Sequence, residues 1–386
     1  MKKLALLLGS LLVVGATASA KEAVVAPVEV SKEVVVVADV VEEVVVEEAF
    51  RPSGYIGLEY RAYGETEGHG DKIVRNAQGN LSDTNQDTWN RGANNRARLQ
   101  TTFGVQMTEN SRLEGRVRDY TNLDSKDDSV TGLGKAYGTE TRLRYSYKHN
   151  DVLTSRLQYR DEENDSQNFE YMLRYAAYQN KGGLLSKIVL APSLYHSMAP
   201  DNGGNYLNTI GLDIEYAGNL PFGFTWDGTL YLDQNFYNQE FKTSATSTKK
   251  RSFDVTWEIY LYRTFGLYAG EKTNVDFNFV GGYDPYIFRQ YERYTSAKAA
   301  TTTTTTTGNK PPVTTTTPAV PASTTEKNTY SLYTALDVSV NYQLTPAVSL
   351  NGGVGAEYRN WDNENQSSAN DWRWQPYAFA GMKVNF

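Results

Sequence analysis

From residue 53 onward, apolar and polar positions alternate with a period of two. Ile56, Leu58, Tyr60 and Ala62 alternate with Tyr55, Gly57, Glu59 and Arg61, and Leu99, Thr101, Phe103 and Val105 alternate with Arg98, Gln100, Thr102 and Gly104. The same pattern runs through Phe253, Val255, Trp257, Ile259 and Leu261, and again through Leu336, Val338, Val340 and Tyr342. Such alternation predicts β-strands with one apolar and one polar face. The predicted strands are 54–63, 95–107, 112–120, 139–148, 153–160, 168–178, 184–195, 206–216, 222–233, 252–263, 273–283, 330–342, 348–359 and 372–386. Many have about 9–11 residues, the length a tilted strand needs to cross a bilayer. The weakest is 184–195, where Pro192 interrupts pairing.

The connections sort into two kinds. Tight turns are expected at 108–111, 149–152, 179–183, 217–221 and 344–347, and long polar loops near 64–95, 121–139, 196–205, 234–251, 284–329 and 360–371. Outer-membrane barrels sort their connections in this way, with short turns on the periplasmic side; a soluble sandwich has no reason to. The expected fold is therefore all-β: a transmembrane antiparallel β-barrel of about 14 strands over residues 53–386, with both termini periplasmic. Loop 284–329 holds a run of threonines and several prolines. That composition cannot support a packed core, so the loop is expected to be mobile and extracellular, neither plug nor constriction. The last strand carries Gly381 and Val384 and ends in Phe386. A terminal aromatic after alternating apolar residues resembles the signal read by the barrel insertion machinery.

The first 52 residues differ. Lys2 and Lys3, an apolar run to Val14 and Ala18-Ser19-Ala20 predict a secretory signal peptide over 1–20. The apolar run is too short to span the ~30 Å of a hydrocarbon core. Residues 21–52 form a Val/Glu-rich segment expected in the periplasm. Val30, Val34, Val37, Val41 and Val44 fall on a heptad seam whose β-branched residues favour three strands over two. Valine is also a mediocre helix former and Pro27 breaks the start, so coiled coil and flexible tether both stay open. Loss of Lys2 and Lys3 takes the formal charge from -7 to -9, and most of that lies in 21–49; the rest of the chain is nearly neutral.

Composition narrows the chemistry. There is no cysteine and there are only 3 histidines, so disulfides, thiolate metal sites and most zinc or haem chemistry are disfavoured, and neither metal nor cofactor is expected. An acidic pI of about 5.3 argues against nucleic acid as a partner. His69 falls in a loop, His149 in a turn and His196 at a strand end beside Ser197, with no triad spacing, so no enzyme is expected. The acidic run 161–165 reads as a solvated loop, with a loose divalent-ion or lipopolysaccharide bridge as the alternative. Mean hydropathy is -0.54 despite 28 Tyr, 14 Phe and 6 Trp. A barrel reconciles the two, because half of each strand faces a watery interior. Tyr145, Tyr147, Tyr159, Tyr171, Tyr175, Tyr216, Trp257, Tyr342, Tyr358, Trp372, Trp374 and Phe386 take outward positions near segment ends, where an amphipathic ring suits the headgroup boundary.

The polar set then lines the lumen, and its charges sort by position. Arg96, Arg98, Arg112, Arg116, Arg118, Arg142, Arg144, Arg156, Arg160 and Arg174 lie on the early strands. Asp213, Glu215, Asp254, Glu258, Asp276, Asp337 and Glu357 lie on the later ones. Glu114, Glu140 and Glu170 fall inside the basic arc and partly neutralise it. Opposed arcs set a transverse field across a pore, and fourteen strands enclose too wide a lumen for side chains to fill. The expected function is a general-diffusion porin, a water-filled channel for ions and small hydrophilic solutes in a Gram-negative outer membrane rich in lipopolysaccharide. A barrel-scaffolded surface adhesin displaying long loops is the alternative.

Met1-Lys2-Lys3-Leu4-Ala5-Leu6, Ala20-Lys21-Glu22, the Val/Glu segment, Arg51-Pro52-Ser53-Gly54, Glu59-Tyr60-Arg61-Ala62-Tyr63-Gly64-Glu65-Thr66-Glu67 and Arg98-Leu99-Gln100 together resemble the fusobacterial major outer-membrane porins (FomA-like). The resemblance is clearest over the first ~120 residues. It implies a homotrimeric, non-specific, voltage-sensitive channel for small hydrophilic solutes. The Thr-rich loop is not a feature associated with that family.

Overall fold

The computed structural model describes residues 50–64, 96–123, 138–162, 166–199, 205–296, 301–305, 313–317, 322–325, 327–360 and 372–386. The signal peptide, the Val/Glu segment and His69 lie outside the described residues. In chain order the strands are β1 (Ser53–Tyr63), β2 (Arg96–Gln106), β3 (Ser111–Asn122), β4 (Gly138–Lys148), β5 (Leu153–Glu162), β6 (Gln167–Gln179), β7 (Lys187–Ala199), β8 (Asn205–Asn219) and β9 (Thr225–Lys242). They continue as β10 (Thr248–Ala269), β11 (Thr273–Arg289), β12 (Arg293–Thr295), β13 (Thr301–Thr305), β14 (Val313–Thr317), β15 (Ser323–Thr325), β16 (Asn328–Gln343), β17 (Val348–Asn360) and β18 (Trp372–Asn385).

Fourteen of these close into one antiparallel barrel, in the order β1 to β11, then β16, β17 and β18, with β18 returning to β1. The expected architecture and strand number are both observed. Closure runs from Tyr55 opposite Asn385 to Tyr63 opposite Tyr377, and it leaves no free edge. The Gly54 and Phe386 backbones extend it, each N–H donating to the other's carbonyl at 2.8 and 3.0 Å.

Short turns gather at one end, together with Ser53 and Asn385. Three of them use the same device, a side-chain oxygen at the turn start accepting backbone N–H groups. Thr108 Oγ1 accepts from Ser111 at 3.0 Å, Asn150 Oδ1 from Leu153 at 2.9 Å and Thr345 Oγ1 from Val348 at 3.1 Å. Pro192 sits inside β7. It stays in register with Leu212 of β8, but the β6–β7 ladder skips from Met172–Ser193 to Tyr175–Leu190, where proline has no N–H to give.

Two expectations are corrected at the long-loop end. The region 234–251 is not a loop: β9 and β10 continue to Lys242 and from Thr248 as a tall hairpin. Apart from Phe236, Tyr237 and Phe241 its residues are polar or small on both faces, so the period-two signal disappears although pairing resumes beyond a bulge. Likewise 196–199 completes β7. The Thr-rich connection carries two short ladders: β13 pairs with β14 from Thr301–Thr317 to Thr305–Val313, and β12 pairs with β15. Backbone ladders and β-branched propensity form these pairs without a packed core.

The two barrel faces differ in kind. Leu58, Tyr60, Leu99, Leu143, Tyr145, Leu157, Tyr171, Leu190, Ile210 and Val354 are exposed on the outer face. Buried polar groups, among them Glu140, Asn168, Thr209, Asp213, Asn235, Ser339 and Gln375, occupy the alternate positions. On the concave side side chains converge, so polar groups there are covered by one another, while apolar groups on the convex side are left for lipid.

Candidate functional site: the inner wall

The β-ladder registers put every described residue of the two charged sets on the inner face; Arg96 lies in β2 with its side chain outside the described residues. Across β3, β4 and β5, Arg116, Arg142 and Arg160 lie directly opposite one another. Like charges so placed cost roughly 0.2–1 kcal/mol per pair. Glu140 offsets this cost. It receives Arg116, with Arg118 and Arg160 at 3.6 and 3.5 Å. Arg160 also pairs with Glu162. Elsewhere Arg98 and Arg61 share Glu59 at 2.7 and 3.3 Å, Arg112 meets Glu114 at 3.1 Å and Arg156 meets Glu170 at 3.2 Å.

Arg142 and Arg144 differ from these. Among the described residues neither has a carboxylate within ion-pair distance. Arg144 is held instead by the neutral Gln158, whose Oε1 accepts from Nε at 3.1 Å and from Nη2 at 2.7 Å.

The acidic wall is built differently. Its carboxylates are held mostly by neutral donors. Asp337 accepts from Asn278 at 2.8 Å and from Tyr377 Oη at 3.1 Å, Glu258 from Tyr231 Oη at 3.3 Å, and Asp276 from Asn341 at 3.5 Å. Asp254 accepts from Asn235 at 2.9 Å and lies opposite Asp233, which sequence reading had not singled out. Asp213 is buried opposite Tyr231, and Glu357 lies between Ala335 and Gln375. Glu215 departs from the expected arc. It reaches Lys187 of β7 at 3.4 Å and, across β7, Arg174 of β6, so the two arcs meet there in ion pairs. The expected partial neutralisation thus goes further on the basic side, where most guanidiniums have a carboxylate.

Aromatic rings also line part of the inner wall, which the girdle explanation of the tyrosine excess does not cover. The Arg61 guanidinium lies 5.0 Å from the ring centroids of both Tyr377 and Phe379. These rings lie over Gly355 and Gly353 of β17, where a Cβ would come within 2.7 Å of either.

The mouth carries one more feature. After β11 the chain turns inward, and Arg293 packs on inner-face residues of β9 and β10. Its Nη2 donates to Tyr237 Oη at 2.6 Å and to Ser252 Oγ at 3.2 Å and lies 3.9 Å from Asp254. Its guanidinium stacks 3.6 Å from the Phe241 centroid and 4.8 Å from that of Tyr237. The base of the Thr-rich connection is therefore clamped to the wall. Nothing in the sequence distinguished Arg293 from other loop arginines.

At the C-terminus, Val384 pairs with Ile56 and Gly381 with Glu59, and the Phe386 ring lies against Gly54. His196 points outward, with Nδ1 2.6 Å from Asn208 Oδ1, while the pleat turns Ser197 inward. His149 reaches Ser155 Oγ at 3.0 Å on the outer face. Among the described residues no group of histidines and carboxylates is arranged to hold a metal ion.

No family model matches the chain, and no curated protein matches it. Among solved structures it is similar to a bacterial polysaccharide outer membrane secretin (TM-score 0.40, 10% identity, 86% of this chain and 98% of that one). It is also similar to the outer membrane protein OprD from Pseudomonas aeruginosa (TM-score 0.34, 10% identity, 87% and 94%) and to OmpT of Vibrio cholerae (TM-score 0.33, 9% identity, 87% and 97%).

Proposed function

We propose that the chain is a general-diffusion porin of a bacterial outer membrane, exported by its signal peptide and carrying ions and small hydrophilic solutes down their gradients. The observation that carries this reading is a closed barrel with its charges on the concave face and its exposed apolar residues on the convex one. A circular barrel of fourteen strands spaced ~4.8 Å and tilted ~40° has a backbone radius of about 14 Å. Wall side chains leave a lumen roughly 10–15 Å across, wide enough for hydrated ions. Acidic groups held by neutral donors line one side and ion-paired arginines the other, so permeating ions meet a transverse field and no covalent chemistry is needed.

The test is reconstitution of the purified protein into planar bilayers. Stepwise conductance increments are expected; a folded protein that inserts and yields none overturns the reading. Asp276→Asn with Asp337→Asn should shift the reversal potential in a salt gradient toward anion preference, read on the same bilayers.

A further inference from the structure

We propose that Arg142 and Arg144 of β4 form a binding strip for phosphate-bearing solutes, namely phosphate monoesters and short polyphosphates; the proposal rests on the channel reading above. The other described arginines of the basic arc each have a carboxylate within ion-pair distance, so their charge is already answered by the wall. Among the described residues these two have none. They stand two residues apart on the inner face of one strand, about 7 Å along the wall.

Glu114 stands opposite Arg144 in the ladder but is engaged by Arg112 at 3.1 Å. Gln158 binds Arg144 through a neutral oxygen at 2.7 and 3.1 Å. Arg142 lies between Arg116 and Arg160, both engaged by Glu140, so it is flanked by cations and, among the described residues, has no carboxylate within ion-pair distance. A carboxylate solute carries one negative charge and answers one guanidinium. A phosphate monoester carries about -1.5 to -2 at neutral pH and offers three acceptor oxygens, which matches two neighbouring guanidinium forks. Lysine in the same places would supply charge without the planar fork.

The probe is inorganic tripolyphosphate, added to the reconstituted full-length protein in potassium chloride, with calorimetric titration of the detergent-solubilised barrel alongside. A saturable decrease in channel current is expected, with sulfate and acetate progressively weaker. Arg142→Gln with Arg144→Gln should raise the half-blocking concentration at least tenfold, and Arg142→Lys with Arg144→Lys should fall between. Folding of each variant is checked by the mobility of unheated samples in gel electrophoresis. Block that is equal in wild type and the Gln variant, or absent in conducting wild-type channels, overturns the strip. Calorimetric binding that depends on both arginines in a protein that never conducts keeps the strip and rejects the channel; no calorimetric binding overturns the strip whether or not the protein conducts.

Discussion

Arg293 is the best place to perturb the mouth of the barrel. It joins the segment after β11 to the inner wall through hydrogen bonds to Tyr237 and Ser252 and by stacking on Phe241. A cation over an aromatic face contributes about 0.5–2 kcal/mol, and each hydrogen bond a net ~0.5–1.5 kcal/mol. These terms overlap, and the site is partly solvated, so Arg293→Ala should weaken the docking of the segment by about 2 kcal/mol. That corresponds to a rise of about 30-fold in the undocked population. Ser252 reports on it, because it is only 1% exposed and lies beneath the guanidinium. The chain has no cysteine, so Ser252→Cys supplies a single thiol. Its reaction with a membrane-impermeant maleimide on intact cells should be about 30-fold faster when Arg293→Ala is added. With Arg293→Lys, which keeps charge near Asp254 but loses the planar stack, the rate should be intermediate. A rate that Arg293→Ala leaves within threefold would refute the clamp.

Two further outcomes follow from the packing. Gly355→Leu would drive a Cβ to 2.5 Å from the Leu336 carbonyl oxygen and 2.7 Å from the Tyr377 ring; overpacking of this kind costs about 1–3 kcal/mol, and the temperature at which the folded gel band converts to the unfolded one should fall. Deletion of Phe386 removes both hydrogen bonds to the Gly54 backbone and a ring packed on that residue. It should lower the yield of folded barrel on insertion into lipid vesicles, and an unchanged yield and rate would argue against Phe386 as an insertion signal.

The barrel was legible because Leu99, Phe103 and Val105 on one face and Arg98, Gln100 and Thr102 on the other repeat the only pattern a strand between lipid and water can carry. Legibility ended where that contrast ends. Beyond the membrane boundary β9 and β10 have water on both sides, so Asn238, Gln239 and Glu240 read as loop while lying within a strand, at a bulge between the Phe236–Arg251 and Phe241–Lys249 pairs. The sorting of charges between strands was visible, but their pairing was not. Whether Arg142 or Arg116 obtains Glu140 depends on the stagger of three strands separated by unread loops. The reach of Glu215 across β7 to Arg174 likewise needs the curvature of the closed sheet. Tyr377 and Phe379 alternate with outward residues as faithfully as any girdle tyrosine, and only the glycines of the neighbouring strand explain why rings fit inside.

The seam between β1 and β18 also bears on how the protein is made. Tyr55 of the first barrel strand must meet Asn385 of the last. Until then the sheet has two open edges, each a template for wrong partners. Every other ladder can form locally, but the final one spans nearly the whole chain and bears the full loop-closure cost. The wall therefore cannot close before β18 is free to pair on both its edges, and the arrival of that strand decides when a sheet with two exposed edges becomes a barrel with none.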